Sequence, residues 1–340
     1  MSSSILNVRD LRVRFPIYGG VLRHRVAEVR AVDGISFDLA RGETFGLVGE
    51  SGSGKTTVGR AIMNLLRALT PDVSLGGEVL FHDNGNTINL NGLSRSAMRP
   101  LRTQVQMIFQ DPYASLNPRA TVGEIISRPL KLHTNLTRME RNKRAMSVLD
   151  RVGLQADAMR RYPHEFSGGQ RQRIGIARAL VTRPKLIIAD EPVSALDVSV
   201  QAQVVNLMQE LQEEYGLTYI FIAHDLSVVY HVSNRIAVMY LGNIVELGDA
   251  EKVYRDPQHP YSRALLSAVP HPEPSGDRAG RTVLQGDIPT PLNKPSGCAF
   301  RTRCPIAQPD CGESAPPLAE IDEGRAVACP YAARYDELAK

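Results

Sequence analysis

ILNVRDLRVRF (5–15) and AEVRAVDGISFDLA (27–40) alternate apolar and polar residues with a period of two. That alternation turns one face of each segment to a core and the other to water, so both read as antiparallel strands. PIYGGVLRHRV between them, with paired glycines and basic residues, reads as a loop. ETFGLVG (43–49) is a short apolar run, the pattern of a strand buried on both faces. A glycine-rich turn follows it, then a helix expected from Lys55 to about Leu69. VQMIF (105–109), KLIIAD (185–190), LTYIFIA (217–223) and RIAVMYLG (235–242) are further strands of the buried kind.

Residues 111 to about 182 carry no strand signal and read as helical, with breaks at Pro118, Pro129, Pro163 and the Gly168–Gly169 pair. VSVQAQVVNLMQELQEEYG (198–216) is amphipathic and stops at Gly216. Strands alternating with helices predict an α/β fold with a mainly parallel core sheet, an antiparallel β part at the N-terminus and a helical subdomain. Prolines crowd residues 270–296 and mark a linker, after which the last segment reads as a separate small module. No internal repeat is visible.

Composition narrows the class. Apolar residues make up 43% of the chain and charged residues 22%, the balance of a soluble globular protein. The net charge of +4 is mild, and the densest basic stretch, RMERNKRAMSVLDR (138–151), also carries acids. It reads as the solvated face of a helix, and no nucleic-acid partner is expected. No apolar run reaches the roughly 18 residues that cross a bilayer. The opening MSSSILNVRDLRVRF lacks the apolar centre of a signal peptide, so a cytosolic location is expected.

GESGSGKT (49–56) fits the pattern G-x-x-x-x-G-K-[ST]. Gly49, Glu50, Ser51, Gly52, Ser53 and Gly54 can wrap their backbone N–H groups around a polyphosphate, and the helix that follows adds its positive end. Lys55 is placed to reach the β- and γ-phosphates, Thr56 to ligate Mg²⁺, and Thr57 continues the phosphate-binding turn. In LIIADE (186–191), Asp190 ends an apolar strand where a carboxylate can hold Mg²⁺ through water, and Glu191 can polarise the attacking water. FSGGQRQRIGIARAL (166–180) offers another helix start suited to an anion. One γ-phosphate needs only one cradle, so this second start is expected to serve nucleotide held by another subunit.

With these motifs in order, joined by Gln110 after VQMIF, SALD at 194–197 and His224 after YIFIA, the chain resembles the ATP-binding cassette family over roughly residues 5–270. Phe166 departs from the family's more frequent Leu and is expected to pack rather than touch phosphate. The resemblance implies a P-loop NTPase fold with ATP and Mg²⁺ as ligands. It implies that Gln110 senses the γ-phosphate and Mg²⁺, that His224 contacts the γ-phosphate, and that Ser167, Gly168, Gly169 and Gln170 face a partner's nucleotide. Phe15, with Tyr18 as its rival, would stack on adenine.

FQDPYASLNPR, HPYSRALL (259–266) and the cysteine tail make the chain similar to the ATPase subunits of bacterial dipeptide and oligopeptide importers, and FPIYGG to the F-type subunit. What this implies is an ATPase domain over 1–258, its helical subdomain over about 111–182, and an extension over 259–340 with a cysteine module at about 296–332. The implied partners are a homologous D-type ATPase, two transmembrane permeases and, indirectly, a periplasmic or surface substrate-binding protein. The implied place is the cytoplasmic face of the inner membrane, peripherally bound. Short helices of the permeases are expected to dock around Gln110, Tyr113, Ser115 and Leu116. Glutathione, nickel and opine importers are close relatives that the sequence does not separate. An exporter or a non-transport cassette ATPase is the alternative class.

All four cysteines, Cys298, Cys304, Cys311 and Cys329, stand in the last segment with spacing C-x5-C-x6-C-x17-C. Structural zinc sites usually pair thiols two to four residues apart, and four thiolates also ligate an iron–sulfur cube. Spacing leaves both open; the importer resemblance implies a [4Fe-4S] cluster, with Zn²⁺ the runner-up. Arg301, Arg303 and Arg325 would offset its charge. Loss of one thiol is expected to loosen the tail and leave the distant phosphate site intact.

Overall fold

The computed structural model describes residues 4–20, 24–268, 286 and 289–339. The first strands are β1 (Ser4–Gly19), β2 (His24–Ala40) and β3 (Thr44–Val48), followed by α1 (Lys55–Ile62) and α2 (Leu66–Leu69). The expected single helix over 55–69 is divided because Asn64 takes a left-handed φ of 50°. β4 (Ser74–Asp83) and β5 (Asn86–Asn89) come next, then α3 (Arg95–Met98) and β6 (Val105–Ile108). Helices α4 (Pro112–Ser115), α5 (Val122–His133), α6 (Arg138–Arg151) and α7 (Gly168–Leu180) fill the stretch expected to be helical.

β7 (Leu186–Asp190), α8 (Val198–Tyr215), β8 (Thr218–Ala223), α9 (Leu226–Val232), β9 (Arg235–Tyr240) and β10 (Asn243–Asp249) come next. α10 (Ala250–Arg255) and α11 (Pro260–Ser267) follow, and β11 (Ala319–Asp322), β12 (Arg325–Val327) and α12 (Tyr335–Leu338) lie in the tail. The chain divides into two compact units, one of residues 1–5, 39–44 and 81–222, the other of residues 6–38, 45–80 and 223–340.

In the first unit β6, β7 and β8 are parallel neighbours, with Val105 opposite Leu186 and Leu186 opposite Thr218. Every residue of β7 is buried, which is why its sequence reads as an unbroken apolar run. Helices α5, α6 and α7 each open on a reciprocal capping box, Thr121 with Glu124, Thr137 with Glu140 and Ser167 with Gln170. The break expected at Pro129 does not occur; α5 runs on to His133. Burial of Ile125, Ile126 and Leu130 on its apolar face offsets a cost of about 3 kcal/mol for an interior proline.

In the second unit β3 is parallel to β9, β9 antiparallel to β10, and β10 antiparallel to β12. β11 pairs with β12, so the tail extends this sheet instead of standing as a module of its own. The junction is fixed by a buried ion pair. Glu246 on β10 is 0% exposed and accepts from Arg325 Nη2 at 2.9 Å and from the backbone N–H groups of Gln258 and His259, each at 2.9 Å. β4, β5 and β10 lie outside the expected strands, and β1 runs to Gly19 through part of the expected loop.

Candidate functional site

The phosphate loop lies in the second unit, where β3 delivers residues 49–54 and α1 begins at Lys55. Gly49 has φ 154°, and a Cβ there would meet Met239 O at 2.2 Å; Gly54 has φ 105°, and a Cβ would meet Ala31 O at 2.3 Å. Neighbouring backbone therefore walls the loop at both ends, and only glycine fits. Lys55, 4% exposed, donates from Nζ to Gly49 O at 2.6 Å, Glu50 O at 2.9 Å and Ser53 Oγ at 3.2 Å. Ser51 and Gly52 are exposed, while Thr56 and Thr57 are half-buried on the first turn of α1. No acid stands in that turn, so the positive end of the helix is left for an anion.

Phe15 and Tyr18 both lie on β1, the first half-buried, the second exposed. Three residues apart on a strand, they project to opposite faces, so one of them at most can stack on a base. His224 is exposed immediately after β8, where Asp225 caps α9.

In the first unit the parallel pairing of β6 and β7 brings together residues 81 apart in sequence: Gln110 Nε2 donates to Glu191 Oε2 at 2.9 Å. Asp190, 1% exposed, ends β7. Glu191 adopts φ 46°, rare for a residue with a long side chain, and is held there by its N–H to Ile222 O at 2.8 Å.

Ser167 caps α7, accepting from the Gln170 N–H at 3.3 Å, while Gln170 Oε1 accepts from the Ser167 N–H at 3.0 Å. Ser167, Gly168 and Gln170 are exposed, and Gly169 is half-buried, with a Cβ there 2.5 Å from Val200 Cγ1. Phe166 is buried under the Arg161 guanidinium, 4.4 Å from the ring centroid. Arg178 and Arg171, which sequence reading passed over, tie this helix to the segment after Gln110. Arg178 Nη1 donates to Ser115 O at 2.6 Å, and Arg171 lies 5.1 Å from the Tyr113 ring centroid. Tyr113 is 61% exposed, but Leu116 is 2% exposed, so Leu116 belongs to the core and not to the expected docking face.

The four cysteines, spread over 32 positions of sequence, line one cavity of about 380 Å³ together with His259, Phe300 and Tyr331. Each is half-buried. The Gln308 N–H donates to Cys311 Sγ at 3.5 Å, while those of Arg301 and Ala332 donate to the carbonyl oxygens of Cys298 and Cys329 at 3.1 and 3.4 Å. Burial, reinforced by the neighbouring sulfurs, pushes Cys304 up to about 12 and Cys329 to about 11. Among the described residues, no three His, Cys, Asp or Glu side chains are gathered closely enough to hold a single metal ion.

The tail also reaches the phosphate loop. Arg303 Nη1 donates to Glu50 Oε2 at 2.9 Å and Nη2 to Glu50 Oε1 at 3.2 Å. The residue before Cys304 thus holds the second residue of the phosphate loop.

The ABC transporter family profile matches residues 32–194, and that of the oligopeptide/dipeptide transporter C-terminal region matches residues 245–311. The oligopeptide transport ATP-binding protein AppF of Bacillus subtilis is 52% identical over 328 residues, covering 96% of this chain and 97% of the relative. OppF of Escherichia coli, with the same description, is 53% identical over 320 residues, 92% of each chain. Among solved structures, cbiO1 from Clostridium perfringens, part of the ABC transporter complex cbiONQ, aligns with TM-score 0.60 at 29% identity, over 74% of this chain and 91% of that one. A dimeric ATP-binding cassette in a post-hydrolysis state with ADP and Pi aligns with TM-score 0.60 at 26% identity, over 72% and 98%.

Proposed function

This chain belongs to the ABC transporter family, and from that premise we propose how its residues divide the work of an oligopeptide importer. It is the ATP-hydrolysing subunit of such an importer and pairs with a second cassette and with permease subunits. Among the described residues no helix is long and apolar enough to cross a membrane, so its association with the transporter is peripheral. The finer assembly is a heterodimer with a D-type homologue on the cytoplasmic face of the inner membrane, supplied by a periplasmic or surface substrate-binding protein.

Lys55 and the N–H groups of residues 49–54 bind the phosphates. Thr56, Gln110 and Asp190 hold Mg²⁺, which neutralises charge on the transferred group when bound. Glu191 is the base that takes a proton from the attacking water, and His224 holds the γ-phosphate. Ser167, Gly168, Gly169 and Gln170 complete the partner's site. Phe15 or Tyr18 stacks on adenine.

The observation that carries the coupling is one run of contacts. Glu191 is bonded to Gln110, and residues 113–115, just beyond it, are gripped by Arg171 and Arg178 of α7. A change at the γ-phosphate that moves Gln110 moves the exposed Tyr113 with it. Tyr113→Ala should leave ATP binding unchanged and lower peptide uptake into reconstituted vesicles tenfold or more, the scale of a lost aromatic anchor. Unimpaired uptake would move the permease contact elsewhere.

Cys298, Cys304, Cys311 and Cys329 hold a [4Fe-4S] cluster. The donor set supports this reading: four thiols line one cavity, and the Gln308 N–H stands against the Cys311 sulfur. Four thiolates suit an iron–sulfur cube as they suit a single zinc, and it is the importer resemblance that favours the cube. Its chemistry here is structural, fixing four points of the tail at once. Protein purified anaerobically should be brown, with broad absorption near ~400 nm. Colourless protein with one equivalent of zinc would reverse the assignment.

A further inference from the structure

Glu50 is the one acid in GESGSGKT. A carboxylate in a loop that binds polyphosphate works against the ligand unless its charge is met. It is met from the tail. Arg303 approaches with both terminal nitrogens in a forked pair, the strongest geometry open to a guanidinium and a carboxylate. The Arg303 side chain is 7% exposed and that of Glu50 25%, so water screens the pair little.

The arginine is itself held. Its Nη1 lies 3.5 Å from Tyr240 Oη, and its N–H donates to Phe300 O at 2.9 Å. The Phe300 ring meets Tyr240 edge-on at 5.2 Å and Tyr261 at 5.5 Å between centroids. Tyr261 Oη in turn accepts the Glu50 N–H at 2.8 Å. Glu50 is thus gripped at its backbone and at its side chain by one aromatic cluster and its arginine, while its carbonyl accepts from Lys55.

We infer that Arg303 is a positioning residue of the phosphate loop: it neutralises Glu50 and fixes the loop's path, making the cysteine-bearing tail part of the ATP-binding apparatus. Its contribution is to binding and not to the chemical step.

The test is a double-mutant cycle in the full chain, reading ATP affinity and, in the assembled transporter, KM and kcat. Arg303→Met should weaken ATP binding roughly tenfold, the scale of a lost charge-assisted pair. KM for ATP should rise in parallel, with kcat little changed. Glu50→Gln should have a smaller effect, and Glu50→Gln with Arg303→Met should return to the level of Glu50→Gln alone. Arg303→Lys, which keeps the charge and loses the fork, should recover part of the loss. An arginine that merely stapled the tail would leave the double variant as impaired as Arg303→Met, and that result would overturn the inference. So would unchanged affinity in Arg303→Met, or a fall in kcat alone.

Discussion

Glu191→Gln will retain ATP binding and lose hydrolysis by about 10²–10⁴-fold, the range for removal of a general base. The side chain is set by three features that the substitution preserves. Its backbone is in the left-handed region, its N–H is committed to Ile222 O, and one side-chain oxygen accepts from Gln110. Glutamine has the same shape and can keep the Gln110 bond through its carbonyl oxygen, but it cannot take a proton from water. The loss should therefore fall on kcat, and the variant should accumulate in an ATP-bound, dimeric state. Glu191→Ala should be no slower in the chemical step, yet it removes the Gln110 contact as well and should impair coupling further. Single-turnover hydrolysis beside a nucleotide titration separates these effects, and turnover near wild type in Glu191→Gln would remove Glu191 from the role of base.

Arg325→Met should destabilise the second unit by about 3–5 kcal/mol, the cost of leaving a buried carboxylate without its partner. Glu246 is wholly buried, and Arg325 is 3% exposed, so neither charge can turn to water when the other is removed. The two backbone N–H groups on Glu246 remain, but they do not carry a compensating charge. Glu246→Gln with Arg325→Met should recover most of the loss, because it removes the charge that the single variant exposes to the apolar interior. Urea unfolding followed by circular dichroism suits a protein without tryptophan. Full stability in Arg325→Met would mean that the junction of β10 and β12 rests on the ladder alone.

How much of this was legible in the sequence depends on the length scale of the cause. Strands β3, β7, β8 and β9 declared themselves as apolar runs because both faces are covered. β4 did not, since Gly76, Gly77 and His82 interrupt its pattern, and β10 did not, since its run is only Ile244 and Val245 before Glu246. Glu246 reads as a surface acid in one dimension; it is buried because Arg325, 79 positions later, meets it. Leu116, buried, and Pro129, inside α5, depart from the sequence expectation for a similar reason. Whether a leucine faces a partner or a core, and whether a helix survives a proline, depends on the neighbours that pack against it.

What the sequence by itself determined is the chemistry that fits within a few consecutive residues. A left-handed glycine, a helix start, a lysine and a hydroxyl in fixed order must form a phosphate loop, because backbone geometry and the helix dipole act over one or two turns. The cysteine count and the capping boxes are local in the same sense. Only the tertiary structure decided which distant groups meet. Parallel pairing of β6 with β7 set Gln110 on Glu191, closure of the tail gathered four thiols around one cavity, and the packing of Phe300 on Tyr240 and Tyr261 carried Arg303 to Glu50. Strand order and ring packing fix the Gln110–Glu191 and Arg303–Glu50 contacts across 81 and 253 positions of chain, and no local pattern of apolar and polar residues encodes a distance of that kind.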